Sequence, residues 1–474
     1  MNKKQFISFI CFCTLALSIL FATGQLFRDK STTIAGYYSI PDNTVDAVIV
    51  GSSHVNSGYI PAVLWKEYGI SAYNVYSWSQ PVWISYHYIE EALKTQDIKL
   101  VVLDMYGMMY GNSHEQPVEI DKVNYRNSFS IDVGINRWKM MQTVADCGID
   151  LKDPVEFINI IRYHTAWKNI NKEMFTYDNH NDPDFFRGYG LQTKVDVIET
   201  PEKMVDAQPK MPYDTAVKYL DKIVELSHKK GFELIFTVTP YQFYPSETEL
   251  FLWLENYAKE KDIPFINYAA NYADIDFDYA TDMSDMSHLN YKGAVKITNS
   301  LGQFITDNYP EIVKKDRQNK AELDTDAKKV YRVFSVNEMT TSDYNKYFEH
   351  LSNDNEHVLF AAISGDSAYT QQFADACKKL GISITSDGFA GVKDSQWKQL
   401  AEPLKMGDVE LSADKYGAIL TVKGTDYHGD EKDIKFAIYD KVLGRTTFYF
   451  YYDYTSDSIV IQDYPAKING GIYD

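Results

Sequence analysis

From residue 44 onward, short runs of apolar and β-branched residues alternate with segments of helical spacing, and this alternation restricts the fold more than any other feature. Val45 to Val50, Leu100 to Leu103 and Leu234 to Thr239 read as strands buried on both faces, with Pro264 to Ile266 a shorter one. Between them, Tyr86 to Leu93, Ala216 to Lys229 and Leu250 to Lys259 place apolar residues three and four apart, and Gly231 marks a helix stop. Strand and helix in turn predict an α/β fold built on a parallel sheet covered by helices.

With 474 residues the chain exceeds one ordinary core. Residues 31–313 hold the alternating pattern, interrupted over about 111–212 by a less regular insertion. Phe157-Ile158 and Ile160-Ile161 suggest a helix there, and the insertion is either a lid over a site or a connecting region. The polar run from Lys314 to Lys329 reads as a linker or a solvated helix end. Beyond it, Val358 to Ile363, Phe436 to Tyr439 and Thr447 to Tyr452 read as strands. Thr370 to Leu380 reads as a helix stopped by Gly381. Residues 330–474 therefore predict a separate C-terminal α+β domain.

Lys3 and Lys4 precede an uncharged, mostly apolar stretch from Phe6 to Leu26. Such a stretch can cross a bilayer with its basic flank in the cytoplasm, which predicts a single-pass transmembrane helix and an extracytoplasmic bulk. The alternative is a signal peptide cut near Ala22 and Gly24. Leu26 and Phe27 prolong the apolar run and no clean small-x-small site is present, which favours the anchor over residues 1–30.

Lys and Arg number 47 against 66 Asp and Glu, a net charge of −19 that argues against a nucleic-acid partner. Cys11 and Cys13 fall in the apolar segment, which leaves Cys147 and Cys377 as either one disulfide or two buried thiols. No His-x-x-x-His or paired-Cys motif occurs, so neither a metal nor another cofactor is expected.

Two segments carry chemistry. Gly51-Ser52-Ser53-His54 follows the first strand, at the sheet edge where parallel sheets form their sites. Asp285-Met286-Ser287-His288 precedes a helical pattern after the last strand, and an Asp three residues before a His can reach it across a turn. A serine needs a base to take its proton. His288 would supply it and Asp285 would orient His288.

This order of residues resembles the SGNH, or GDSL-like, hydrolase superfamily, whose first block is Gly-Asp-Ser and whose last is Asp-x-x-His. The resemblance spans roughly residues 40 to 310 and implies a three-layer α/β/α fold with Ser53, Asp285 and His288 as catalytic residues. Gly51-Ser52-Ser53-His54-Val55-Asn56-Ser57-Gly58-Tyr59-Ile60-Pro61 is more closely similar to one exported branch. That branch includes the D-alanine transfer proteins and alginate O-acetylation proteins that work with membrane-bound O-acyltransferases. It implies a cell-envelope glycan acceptor and a membrane-bound O-acyltransferase partner.

The chain departs from the family in two blocks. Tyr73-Asn74-Val75-Tyr76-Ser77-Trp78-Ser79-Gln80-Pro81 has Ser79 where the family supplies an oxyanion-hole glycine, although Ser79 keeps a backbone N–H. The stretch from Asp104 to Asn112 lacks the Gly-x-Asn spacing of the third block. Loss of one side-chain donor costs about 3 kcal/mol of transition-state stabilisation, and Gln80, Asn74 or His54 stand as replacements. His54 either serves the oxyanion or substrate or makes a structural hydrogen bond. Tyr241, in Thr239-Pro240-Tyr241 at another strand end, either flanks a sugar or acyl group or belongs to a turn.

In the C-terminal part, Leu359-Phe360-Ala361-Ala362-Ile363 through Asp366, Lys379-Leu380-Gly381, Phe389-Ala390-Gly391-Val392-Lys393, Gly424-Thr425-Asp426-Tyr427 and Ile434 to Asp440 resemble the interleukin-like inducer (ILEI) domain. Glycan binding is the role this implies, with packing or protein docking as the alternative. Two competing readings of function therefore stand for the whole chain, the first of them leading. One is an extracytoplasmic serine O-acyltransferase or esterase acting through an acyl-serine. The other is a non-catalytic scaffold with a degenerate SGNH domain that presents glycan or docks an acyltransferase.

Overall fold

Val48 and Val50 turn one way from their strand and Ala47 and Ile49 the other, and all four are buried. That two-sided burial is why the strands read as continuous apolar runs rather than alternating ones. A computed structural model describes residues 3–27, 34, 36–111, 127, 130–148, 165–169, 184–339, 341–363, 367–384, 389–394, 396–399, 402–414, 417–422, 425–428 and 434–461. The chain divides into two units, Met1–Ala327 and Lys328–Asp474.

In the first unit, α1 (Lys3–Phe27) is one helix long and apolar enough to cross a membrane, with a mean hydropathy of 2.3 over Lys3–Gly24. The sheet follows with β1 (Ala47–Gly51), β2 (Ala72–Tyr76), β3 (Leu100–Asp104), β4 (Glu233–Val238) and β5 (Phe265–Asn267). All pairs are parallel, in the order β2-β1-β3-β4-β5. The helices are α2 (Ser53–Gly58), α3 (Val82–Ala92), α4 (Ile135–Asp146), α5 (Asp214–Lys230), α6 (Thr248–Glu260) and α7 (Tyr291–Asn308), and α8 (Lys320–Glu338) begins in this unit and ends in the second. One core joins Val48, Val50, Leu103 and Phe236 to Trp83 and Ile89 of α3, Ile223 of α5 and Leu254 of α6. The other joins Ile49, Val102 and Ile235 to Val55 of α2 and Ile297 and Leu301 of α7. Helices thus cover both sheet faces.

β2 was not anticipated as a strand, because Asn74 sits at its centre. The Asn74 amide donates to the carbonyls of Val55 at 3.2 Å and Tyr59 at 2.7 Å, which fastens α2 to the sheet. β2 is an edge strand, and a backbone segment covers it: the Asn74 N–H donates to the Arg187 carbonyl at 3.0 Å, and Arg187 Nε donates to the Ala72 carbonyl at 3.2 Å.

The polar run over 314–329, read as a linker or a solvated helix end, is pinned at its start and helical from Lys320, in line with the second alternative. Lys314 and Arg317 ion-pair with the nearly buried Asp46, and α8 starts at Lys320. Up to Lys329 its buried apolar positions are Leu323 and Ala327, too few among charged residues to announce a helix, and Val330, Val333, Phe334 and Val336 follow only beyond the polar run. Of the insertion, residues 112–126, 128–129, 149–164 and 170–183 lie outside the described residues, and with them the helix expected at Phe157 to Ile161. Gly231 ends α5 at φ 76 as expected. Cys147 is a free buried thiol pushed up to about 12 by burial, and Cys377 is a second free buried thiol, so no disulfide links them.

Among the described residues the second unit contains α9 (Tyr344–Asn353), β6 (His357–Ile363), α10 (Gln371–Lys379) and nine further strands. These are β7 (Phe389–Asp394), β8 (Gln396–Gln399), β9 (Leu404–Met406), β10 (Val409–Asp414), β11 (Gly417–Val422), β12 (Thr425–His428), β13 (Ile434–Asp440), β14 (Arg445–Asp453) and β15 (Ser458–Ile461). They form antiparallel sheets of order β15-β14-β13-β6-β7-β8 and β12-β11-β10-β9. Tyr347 and Phe348 of α9 and Phe373 of α10 pack with Phe436 and Phe450 in one core. Asp366 and Gly424 lie outside the described residues.

Candidate active site

Gly51 ends β1 in a space that admits no side chain: a Cβ there would lie 2.7 Å from Val55 Cγ2 and 2.8 Å from Asp104 Cβ. The chain turns at once into α2, capped by Ser52, whose hydroxyl accepts the His54 N–H at 3.3 Å. Ser53 is therefore the first residue of a helix rather than part of a bare turn. It stands beside the switch point of the strand order, where β2 and β3 flank β1.

The Asp285–His288 loop is closed by its own hydrogen bonds. Asp285 Oδ1 accepts the N–H groups of Ser287 at 2.7 Å and His288 at 2.9 Å, and Met283 bridges Leu289. Asn290 then caps α7, accepting from the N–H groups of Lys292 and Gly293. The described end of the insertion supports this loop: Asp196 donates its N–H to the Met283 carbonyl at 3.0 Å, and Ile198 donates to that of Tyr279 at 3.2 Å.

The two segments meet. His288 Nε2 lies 2.9 Å from Ser53 Oγ, and His288 Nδ1 lies 3.0 and 2.9 Å from the two Asp285 carboxylate oxygens. Burial raises the Asp285 pKa, but the hydrogen bond and charge of His288, with the two N–H groups, outweigh it and hold the carboxyl below its ordinary value. An alcohol, an imidazole and a carboxylate in this line can move a proton off the serine and return it to a leaving group.

The remaining sequence candidates divide. Ser79 adopts φ 46, a left-handed conformation that favours glycine. Gln80 is buried and committed to packing: its carbonyl accepts from Ser77 at 2.7 Å and its amide donates to Ser85 at 2.9 Å. Both amide hydrogens of Asn74 are likewise taken. These commitments remove Asn74, and weaken Gln80, as the replacement oxyanion donors expected from sequence.

His54 and Tyr241 do converge on the site. The His54 ring stacks on Tyr106 at 3.8 Å, meets Tyr241 edge-on at 5.3 Å and lies 5.8 Å from the His288 ring. Burial first, then the neighbouring His288, hold the His54 pKa well below its ordinary value. The Tyr241 hydroxyl donates to Met109 Sδ at 3.4 Å.

Sequence reasoning missed Thr239 and Asp104 as members of this cluster. Thr239 Oγ1 lies 2.9 Å from His54 Nδ1. The buried Asp104 carboxylate accepts the N–H groups of Tyr106 and Thr239, and burial raises its pKa to about 7. An acidic residue at the end of a buried strand was the available signal. Among the described residues no cluster of His, Cys, Asp or Glu is placed to hold a metal ion. No protein-family model matches the chain, and no curated protein matches it.

Proposed function

We propose that the chain is an SGNH-like, extracytoplasmic serine O-acyltransferase or esterase that modifies a cell-envelope polysaccharide through an acyl-serine intermediate. The observation that carries this reading is the unbroken line Ser53 Oγ, His288 Nε2, His288 Nδ1, Asp285 at hydrogen-bond distances. In the first step Ser53 Oγ attacks the acyl ester, His288 takes its proton and delivers it to the departing alcohol, and Asp285 steadies the imidazolium. The backbone N–H groups of Ser53 and Ser79 receive the oxyanion, since the Asn74 amide is spent elsewhere. In the second step an acceptor hydroxyl, or water in hydrolysis, attacks the acyl-serine and His288 returns the proton to Ser53. The α1 helix is the membrane anchor in this reading, a membrane-bound O-acyltransferase the donor-side partner, and the ILEI-like second unit the glycan holder.

Incubation with p-nitrophenyl acetate followed by mass spectrometry should find an acetyl group on the Ser53 peptide and none in Ser53→Ala. Equal hydrolysis by both proteins with neither labelled would defeat the proposal. The second reading, a glycan-presenting or acyltransferase-docking scaffold, draws on the commitments of Asn74 and Gln80. It requires Ser53→Ala to complement a deletion strain fully.

A further inference from the structure

A second hydrogen-bonded line runs behind Ser53, His288 and Asp285, and the steps above leave it unused. His54 is 2% exposed, and its Nδ1 meets Thr239 Oγ1 at 2.9 Å. Thr239 offers its hydroxyl as well as its N–H to the Asp104 carboxylate. Above about pH 7 Asp104 is ionised and only accepts, so the single Thr239 hydroxyl proton goes to Asp104 and the hydroxyl oxygen accepts from His54. With Asp104 ionised, the network assigns His54 the neutral Nδ1–H tautomer, with a bare lone pair at Nε2. No hydrogen bond from a described residue reaches that nitrogen, which is left to take a donor from a ligand.

The neighbours of the His54 ring define what can serve this lone pair. His288 Nε2 faces Ser53 and takes the proton of whichever hydroxyl attacks the acyl-serine. That hydroxyl has no second proton to give, so an organic acceptor must reach the His54 ring, 5.8 Å from that of His288, with another hydroxyl. The surrounding wall is aromatic: Tyr106 stacks on His54, Tyr241 lies edge-on to both, and Tyr110 meets Tyr106 at 5.8 Å. A carbon-bearing acceptor gains from packing against such rings, and water does not.

We propose that His54 Nε2 accepts a hydrogen bond from the hydroxyl next to the one being acylated, so that the site selects a vicinal diol, as sugars and glycerol carry, over a simple alcohol. This deepens the acyl-serine reading and rests on it. In the transfer step the attacking oxygen forms the new ester bond, Ser53 Oγ leaves, and the acceptor's proton passes through His288 to Ser53. The neighbouring hydroxyl keeps its own proton, shared with His54 throughout. His54 is thus a specificity residue. Thr239 and Asp104 are positioning residues that fix its tautomer.

The test uses the full chain in detergent at about pH 8, where Asp104 is ionised, with p-nitrophenyl acetate as donor and an equimolar mixture of propane-1,2-diol and propan-1-ol as acceptors. The two acetate esters are quantified by mass spectrometry. Wild type should favour the diol by about tenfold, the worth of one hydrogen bond. His54→Phe keeps a ring on Tyr106 but removes the lone pair, and should bring the ester ratio close to that of uncatalysed transfer; Thr239→Val should lower it too. A ratio is unmoved by a general loss of activity. A wild-type p-nitrophenol burst with no diol preference overturns this inference alone. No burst and no acetyl on Ser53 overturns the acyl-serine reading and this inference with it. A His54→Phe effect confined to hydrolysis would put water on Nε2 and also overturn it.

Discussion

Gly51 and Asp104 sit at the ends of adjacent parallel strands with no room for a β-carbon between them: one built on Gly51 would stand 2.8 Å from Asp104 Cβ. This closeness lets β1 turn directly into α2 beside β3. It sets Ser53 two residues from the contact and His54 next to the Asp104–Thr239 network.

Gly51→Ala should therefore damage both fold and chemistry. The new methyl meets Val55 and Asp104 well inside ordinary contact, and such overpacking costs about 1–3 kcal/mol. Urea unfolding measures the first effect. Acetylation of Ser53 measures the second, which should fall more than the population of folded protein, because the serine moves with the strand end.

Asp285→Asn tests the third member of the proposed triad. Asn can still accept from the Ser287 and His288 N–H groups, so the loop should fold. His288 would lose the partner that fixes its Nδ1–H tautomer, and acylation should slow on the order of 10³-fold. The same variant has a stability signature. The Asp285 carboxyl titrates below its ordinary 3.8, so its contribution is complete above that value and is lost as pH falls through the depressed one. Melting curves between about pH 2 and 6 should show an acid-side loss in wild type that Asp285→Asn lacks.

The strands buried on both faces were legible as apolar runs, and the order Ser53, Asp285, His288 along the chain was enough to pair residues 235 positions apart. What stayed hidden was polar. Asn74 disguised β2 because its amide serves α2, and the charged face of α8 masked Leu323 and Ala327. The bond between Thr239 and His54 spans 185 positions, and nothing local marks a threonine before a proline as the partner of a distant histidine. Gln80 and Asn74 looked available as donors because their obligations lie to Ser85, Val55 and Tyr59, which only packing reveals.

Arg187 guards the free edge of β2. It holds the Ala72 carbonyl and pairs with Asp326 at 3.3 Å while adopting φ 52. Arg187→Ala should cost about 2 kcal/mol, combining the lost hydrogen bonds with an alanine in left-handed backbone. Arg187→Gly loses the same contacts but not the backbone preference, so it should be less destabilised than the alanine variant by about 1 kcal/mol. Equal denaturation midpoints would show that the backbone relaxes once the side chain is gone.

His54 makes a prediction that separates its neutral state from its substrate role. In the unfolded chain it titrates near its ordinary 6.5, whereas burial, reinforced by His288, depresses it in the fold. Below about pH 6.5 the unfolded state thus binds a proton that the folded state refuses. Stability is complete above that pH and falls as pH drops toward the folded value. The other groups facing this ring are Asp104, Asp285, His288, Tyr106 and Tyr241. Asp104 has the opposite sign, because its raised pKa lets the fold hold a proton that the unfolded chain releases between about pH 4 and 7. A plain melt against pH mixes the two, so the comparison must be with His54→Phe, which keeps Asp104 and removes only the imidazole. The melting temperature of wild type relative to that variant should decline as pH falls below about 6.5. A difference that stays flat would mean that His54 takes up its proton inside the fold as readily as outside, and Nε2 would then be a donor rather than the acceptor that a diol requires.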